Sequence, residues 1–96
     1  MTVQPDNADP ALAELTRRIG GHVRTLRRAR GLSRRMLNEI SGVSERYLAQ
    51  LETGNGNVTV GILHRLSLVF GCAVEDLIAG GARPNTEKGQ DRKSVV

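Results

Sequence analysis

The sequence predicts an all-α fold, a compact bundle of five helices with disordered tails at both ends. Three observations lead there. Apolar residues recur at spacings of three and four in separate blocks, glycines stand just past the ends of the first four blocks, and Asp, Ser or Thr stands just before them. The 96-residue length bounds the chain to one domain. Hydrophobic residues make up 39%, with one Tyr and one Phe, so the core must be built from Leu, Ile, Val and Ala. A core of that size suits a bundle of roughly 60 residues. The expected organisation is a lead over 1–10, a folded domain over 11–79 and a tail or linker over 80–96.

Asp9-Pro10 reads as an N-cap followed by proline at the first helical position. Leu12, Leu15, Ile19, Val23 and Leu26 then form one stripe, which predicts a helix over 11–30 closed by Gly31. Gly20-Gly21 interrupts the stripe and predicts a break or kink. Ser33 caps a second helix that turns Met36, Leu37 and Ile40 inward and ends at Gly42. Ser44 caps a third, with Leu48 and Leu51 buried and Gly54 after it. Asn55-Gly56-Asn57 is turn chemistry. Thr59 caps a fourth helix with Ile62, Leu63, Leu66, Val69 and Phe70 on its inner face and Gly71 as its stop. A short fifth helix over 74–78 completes the set, and the polar, Gly-rich remainder has no periodicity.

Charge narrows the class of partner. Eight arginines (17, 18, 24, 27, 28, 30, 34 and 35) fall between Arg17 and Arg35 with no acid among them, and twelve of the 14 basic residues are Arg. A basic face rich in guanidinium forks suits a polyanion, duplex DNA above all; taken alone, it also suits a solvated helix face. Aromatic residues for stacking on unpaired bases are nearly lacking, which disfavours RNA.

Other classes find little support. No stretch approaches the roughly 20 apolar residues of a membrane span, and the acidic start lacks the form of a secretory signal. A bacterial cytoplasmic location at the nucleoid is the expectation. Cys72 stands alone, read as a small buried hydrophobe or, less readily, as a redox thiol. His22 and His64 have no ligand-spaced partner and default to surface or rim. No metal set, nucleophile motif, carboxylate pair or phosphate-cradling loop is present, so neither enzyme nor cofactor is expected.

Residues 34–53, RRMLNEISGVSERYLAQLET, read as a helix, a tight turn at Gly42 and a second helix, with Leu37, Val43, Leu48 and Leu51 spaced to lock the two at a steep angle. Gly42 suits a turn that needs positive φ. This is the helix-turn-helix arrangement, whose second helix enters the major groove.

Over residues 19–79 the chain resembles the Cro/repressor-like (XRE) DNA-binding domains. The matching positions are Arg24, Arg27, Gly31-Leu32-Ser33, Leu37, Gly42-Val43-Ser44, Leu51 and Glu52-Thr53-Gly54. The stretch SERYLAQLETGNGNVTV is similar to the N-terminal domain of benzoyl-CoA-responsive repressors of aromatic catabolism, in which a kinase-like effector domain follows. The resemblance implies a lambda-repressor-like bundle and a role for each matched position. Ser44, Glu45, Arg46, Ala49 and Gln50 match the exposed face of the recognition helix, and Arg34 a base- or phosphate-contacting position. Arg46 suits guanine, Gln50 adenine, and Glu45 cytosine or the orientation of Arg46. Arg35, Tyr47, Asn55 and Asn57 would meet phosphates, although Tyr47 equally suits the core rim and the two Asn suit the turn. Arg27 and Glu52 match a family ion pair. Asn38 departs from the family's small Ala and must tilt the helix crossing or find a hydrogen-bond partner.

The expectation is therefore a sequence-specific regulator of double-stranded DNA operators, a repressor acting as a homodimer, with part of its dimer surface near Leu68, Val69, Val74 and Leu77. An effector domain or protein partner would join through the tail. The alternative is an antitoxin-type interaction module; residues 80–96 lack the amphipathic helix or strand it would use, beyond the short Ser94-Val95-Val96 end.

Overall fold

A computed structural model describes residues 9–55 and 57–80 and places five helices there: α1 (Pro10–Ala29), α2 (Arg34–Ser41), α3 (Glu45–Glu52), α4 (Val60–Phe70) and α5 (Val74–Ala79). The expectations for the lead over 1–8 and the tail over 81–96 lie outside these residues. Pro10 is the first residue of α1, the position its place after the Asp9 cap implies.

Side-chain oxygens start the first four helices. Asp9 accepts from the Ala11 and Leu12 N–H groups at 3.0 and 3.3 Å. Ser33 accepts from Met36 at 3.0 Å, Ser44 from Tyr47 at 3.0 Å and Thr59 from Ile62 at 3.1 Å. Each satisfies a donor that the first helical turn leaves without a partner. In α5 the Asp76 carboxylate reaches back to the Ala73 N–H at 3.1 Å. Gly42 ends α2 at φ 80°, a left-handed conformation that lets the chain turn sharply into α3.

The core gathers one stripe from every helix: Ile19, Val23 and Leu26 of α1, Leu37 of α2, Leu48 and Leu51 of α3, Leu63, Leu66 and Phe70 of α4, and Leu77 of α5, with Val43 of the turn. Two contacts tie α1 to the C-terminal helices, one to α5 and one to the end of α4. The His22 ring donates from Nδ1 to the Leu77 carbonyl at 2.7 Å. The Arg30 guanidinium lies over the Phe70 ring, 5.8 Å from its centre, and donates to the Phe70 carbonyl. Burial pushes the half-buried Cys72 thiol above its ordinary range, with Asp76 adding and Arg30 opposing. A thiol so held stays protonated at neutral pH, which suits packing better than reactivity.

Three expectations need correction. Helix α1 runs unbroken through Gly20-Gly21. Gly20 is buried against α3, where a Cβ would stand 1.9 Å from the Leu51 carbonyl oxygen and 3.2 Å from the Glu52 Cα. The glycine admits a second backbone rather than breaking its own helix. In α2, Met36 and Ile40 face outward, 45% and 59% exposed, and Leu37 alone is buried. The helix is rolled so that Arg34, Asn38 and Ser41 sit half-buried on the inner side, where each finds a polar partner. Leu77, assigned to a dimer surface, is fully buried in the core; Leu68 is exposed, and Val69 and Val74 are half-buried.

The neighbouring glycines should respond to alanine with opposite signs. Gly20→Ala forces two backbones apart and should cost about 3 kcal/mol. Gly21→Ala meets no atom within 4 Å and should stabilise by about 0.5–1 kcal/mol through helix propensity. Urea unfolding of the two variants measures both.

Candidate nucleic-acid interface

The corner between α2 and α3 is laced by side chains. The Asn38 amide donates to the Val43 carbonyl at 2.8 Å. The Ser41 hydroxyl donates to the Leu37 carbonyl at 2.7 Å and accepts the Val43 N–H at 3.1 Å. Both main-chain groups of Val43 are thereby satisfied while its side chain is buried in the core. Asn38 finds a partner for its amide in the turn itself, which meets the demand its size and polarity create.

A buried ion pair fixes the other end of α3. Arg27 donates to Glu52 from Nε to Oε2 at 2.7 Å and from Nη2 to Oε1 at 2.9 Å, a two-point fork. Its remaining Nη1 donates to the Leu32 carbonyl at 2.7 Å, which ties in the loop before α2. The hydrogen-bonded carboxylate raises the Arg27 pKa further above its ordinary value, against the lowering effect of burial. Arg34 adds a second cation, with Nη2 3.2 Å from Glu52 Oε1. One carboxylate therefore serves two guanidinium groups and leaves net positive charge at the start of α2.

From this frame α3 presents its outer face. Glu45, Arg46 and Gln50 are exposed, and their side chains make no hydrogen bond or ion pair among the described residues. Ala49 is half-buried beside them. Ser44 is exposed at the helix start, its hydroxyl engaged in the cap. Arg34 is only partly available because it leans on Glu52. Arg35 is exposed, with Glu39 at 3.7 Å one turn along.

The loop after α3 carries the remaining candidates. Tyr47 is half-buried and its hydroxyl donates to the Asn57 carbonyl, so it struts α3 against the loop. Burial pushes its phenol upward, with a backbone hydrogen bond from Thr59 opposing, so it remains protonated at neutral pH. The Asn55 N–H donates to the Gln50 carbonyl at 2.9 Å and its side chain to Thr53 Oγ1 at 3.2 Å. Asn55 and Asn57 are both exposed. The candidates thus fall on three successive segments: the start of α2, the outer face of α3 and the loop that follows.

Several participants escaped the sequence reading. Ser41 was not singled out, though a serine one residue before a turn glycine is a local signal that could have found it. The link from Arg34 to Glu52 joins residues far apart in sequence and has no local signal. Gly54, at φ 83°, lies against Arg17 of α1, whose Cα would be 3.1 Å from an added Cβ. The end of α3 is therefore pressed on α1 at two glycines, Gly20 and Gly54.

A helix held outward from a rigid two-helix corner, with its own polar face unpartnered, defines the helix-turn-helix class of DNA-binding protein. Residues 23–77 match the helix-turn-helix family, and the chain belongs to that family, in its XRE branch. It is similar to an uncharacterised HTH-type transcriptional regulator, y4dJ of Sinorhizobium fredii, at 32% identity over 65 residues, 68% of this chain and 84% of the relative. Among solved structures it is similar to the restriction-modification controller protein C.AhdI of Aeromonas hydrophila, with TM-score 0.62 and 31% identity over 68% of this chain and 97% of that one. It is also similar to the clp gene regulator ClgR of Corynebacterium glutamicum, with TM-score 0.63 and 33% identity over 70% and 74% of the two chains.

The two ion pairs should separate cleanly in stability. Arg27→Ala takes from a buried carboxylate its two-point partner, leaving only Arg34, and should cost about 3 kcal/mol. Arg35→Ala removes only an exposed contact to Glu39 and should stay within about 0.5 kcal/mol of the parent. Chemical denaturation of both variants checks the contrast.

Proposed function

We propose that this protein is a sequence-specific transcriptional regulator, a repressor, that reads the major groove of its operator with the outer face of α3. The carrying observation is the row Glu45, Arg46 and Gln50, exposed and unpartnered on a helix whose two ends are pinned. A side chain that a protein uses for itself is unavailable to a base edge, and these three are unused among the described residues. Arg46 forks onto guanine O6 and N7, Gln50 pairs with adenine N6 and N7, and Glu45 accepts from cytosine N4 or steadies Arg46. Ser44 and Ala49 lie at the edges of the same face, and Arg34 stands at its border. Arg35, Asn55, Asn57 and the Tyr47 edge meet phosphates on either side, fixing register without reading sequence.

The protein acts as a homodimer on a two-fold operator, with half-sites about 34 Å apart or a multiple of that spacing. Its site of action is the cytoplasm, at the nucleoid, and its chemistry is binding, not catalysis. The resemblance to repressors of aromatic catabolism rests on residues 44–60. It makes a benzoyl-CoA-type thioester the first effector to try, sensed by a domain or partner joined through residues 80–96.

Selection of bound duplexes from a random pool at about 150 mM salt, where purely electrostatic binding is suppressed, tests the reading. A palindromic consensus is expected. Arg46→Ala should erase preference for that consensus with the helical content unchanged by circular dichroism. Arg35→Ala should weaken binding to all sequences and flatten the salt slope by about one unit. Recovery of no consensus, or an Arg46→Ala variant that binds the consensus as the parent does, overturns it.

A further inference from the structure

Gly21 has no role in the fold that requires glycine. It lies inside α1, does not adopt a positive φ, and a Cβ built on it meets no atom within 4 Å. Glycine inside a helix is unfavourable relative to alanine. Its neighbour Gly20 is explained by the Leu51 carbonyl; among the described residues nothing explains Gly21.

The residues around it give the missing reason. Arg17, Arg24 and Arg28 stand four before, three after and seven after Gly21, so all four positions share one helix face. The three arginines are exposed. Arg24 and Arg28 have no ion pair among the described residues, and Arg17 is shared with Glu14 at the far end of the row. The row runs from Arg17 to Arg28, about 16 Å along the helix. Its placement follows from the helix's neighbours. Gly20 and Arg27 mark the flank of α1 turned to α3, and His22, bonded to Leu77, marks the flank turned to α5. At 100° per residue the arginine row falls between the outer face and the α3 flank. Its first member lies against Gly54, in the turn that closes α3.

We propose that Arg17, Gly21, Arg24 and Arg28 form a phosphodiester track, on which a DNA backbone lies against α1 directly over Gly21. The guanidinium groups grip phosphates on either side of a notch that a Cβ would fill. The track lies outside the helix-turn-helix and lengthens the footprint on the same duplex that α3 enters, so it rests on the reading of α3 given above. Row and notch are a pair of independent observations: the arginines supply the charge, and the glycine leaves open space over the helix backbone where a phosphate can come close.

The test uses the duplex recovered by the random-pool selection, extended by flanking sequence on both sides, with the parent protein, Gly21→Ala and Arg24→Gln/Arg28→Gln. The double variant should lower the salt slope by about two units, at roughly 0.9 per phosphate contact. It should also lose hydroxyl-radical protection at the outermost backbone positions while keeping the selected consensus. Gly21→Ala should raise the thermal midpoint of the free protein and weaken binding several-fold, the opposite of what a better helix former would do to a solvated face. An unchanged salt slope and footprint in the double variant overturns the track. So does a Gly21→Ala variant that is more stable and binds as the parent does. A parent that selects no duplex at all sinks the reading of α3, and the track with it.

Discussion

The Glu52 carboxylate takes both prongs of the Arg27 fork at 2.7 and 2.9 Å and leans on Arg34 at 3.2 Å, joining α1, the start of α2 and the end of α3 at one buried point. Burying charges costs several kcal/mol each unless they are paired and hydrogen-bonded. Arg27 meets that condition with every nitrogen: Nε and Nη2 donate to Glu52 and Nη1 to the Leu32 carbonyl. Such a pair adds little net stability over a well-packed apolar substitute, but it has directional bonds that an apolar contact lacks. Here the directionality fixes where α3 ends relative to α1, and hence where its outer face points.

The packing around that point is consistent with it. Gly20 lets the α1 backbone approach the Leu51 carbonyl next to Glu52, and Gly54 lets the following turn settle on Arg17. At the opposite end of α3, Ser44 caps the helix while Asn38 and Ser41 secure Val43. A helix of eight residues such as α3 is far too short to be stable alone. Its order is borrowed from these contacts at both ends and from Leu48 and Leu51 below. Rigid support matters because base readout depends on side chains arriving at the groove with their geometry already set.

Much of the fold was legible because its signals are local. Asp9, Ser33, Ser44 and Thr59 announce helix starts by their own hydrogen-bonding chemistry, and Gly42 and Gly71 announce stops by their conformational freedom. What escaped depends on contacts between distant segments. Helix propensity at Gly20-Gly21 shows only a cost, so it suggested a kink; the compensating approach of α3 exists only in three dimensions. The periodicity of α2 marks Met36 and Ile40 as apolar, but not that Arg34, Asn38 and Ser41 have better partners inside. The candidate interface was legible as a class of exposed polar residues on one helix. The pinning of Arg34 by Glu52 was not, because nothing near either residue in sequence points to the other.

The account therefore stands on energetic coupling across α1 and α3. A double-mutant cycle with Arg27→Met, Glu52→Met and the double variant, read by urea unfolding, measures it directly. The account predicts a coupling of about 2–3 kcal/mol, because either single change leaves a buried charge without its main partner. Additivity within about 0.5 kcal/mol would show that the two residues do not act as a unit, and that the orientation of α3 is set by apolar packing alone.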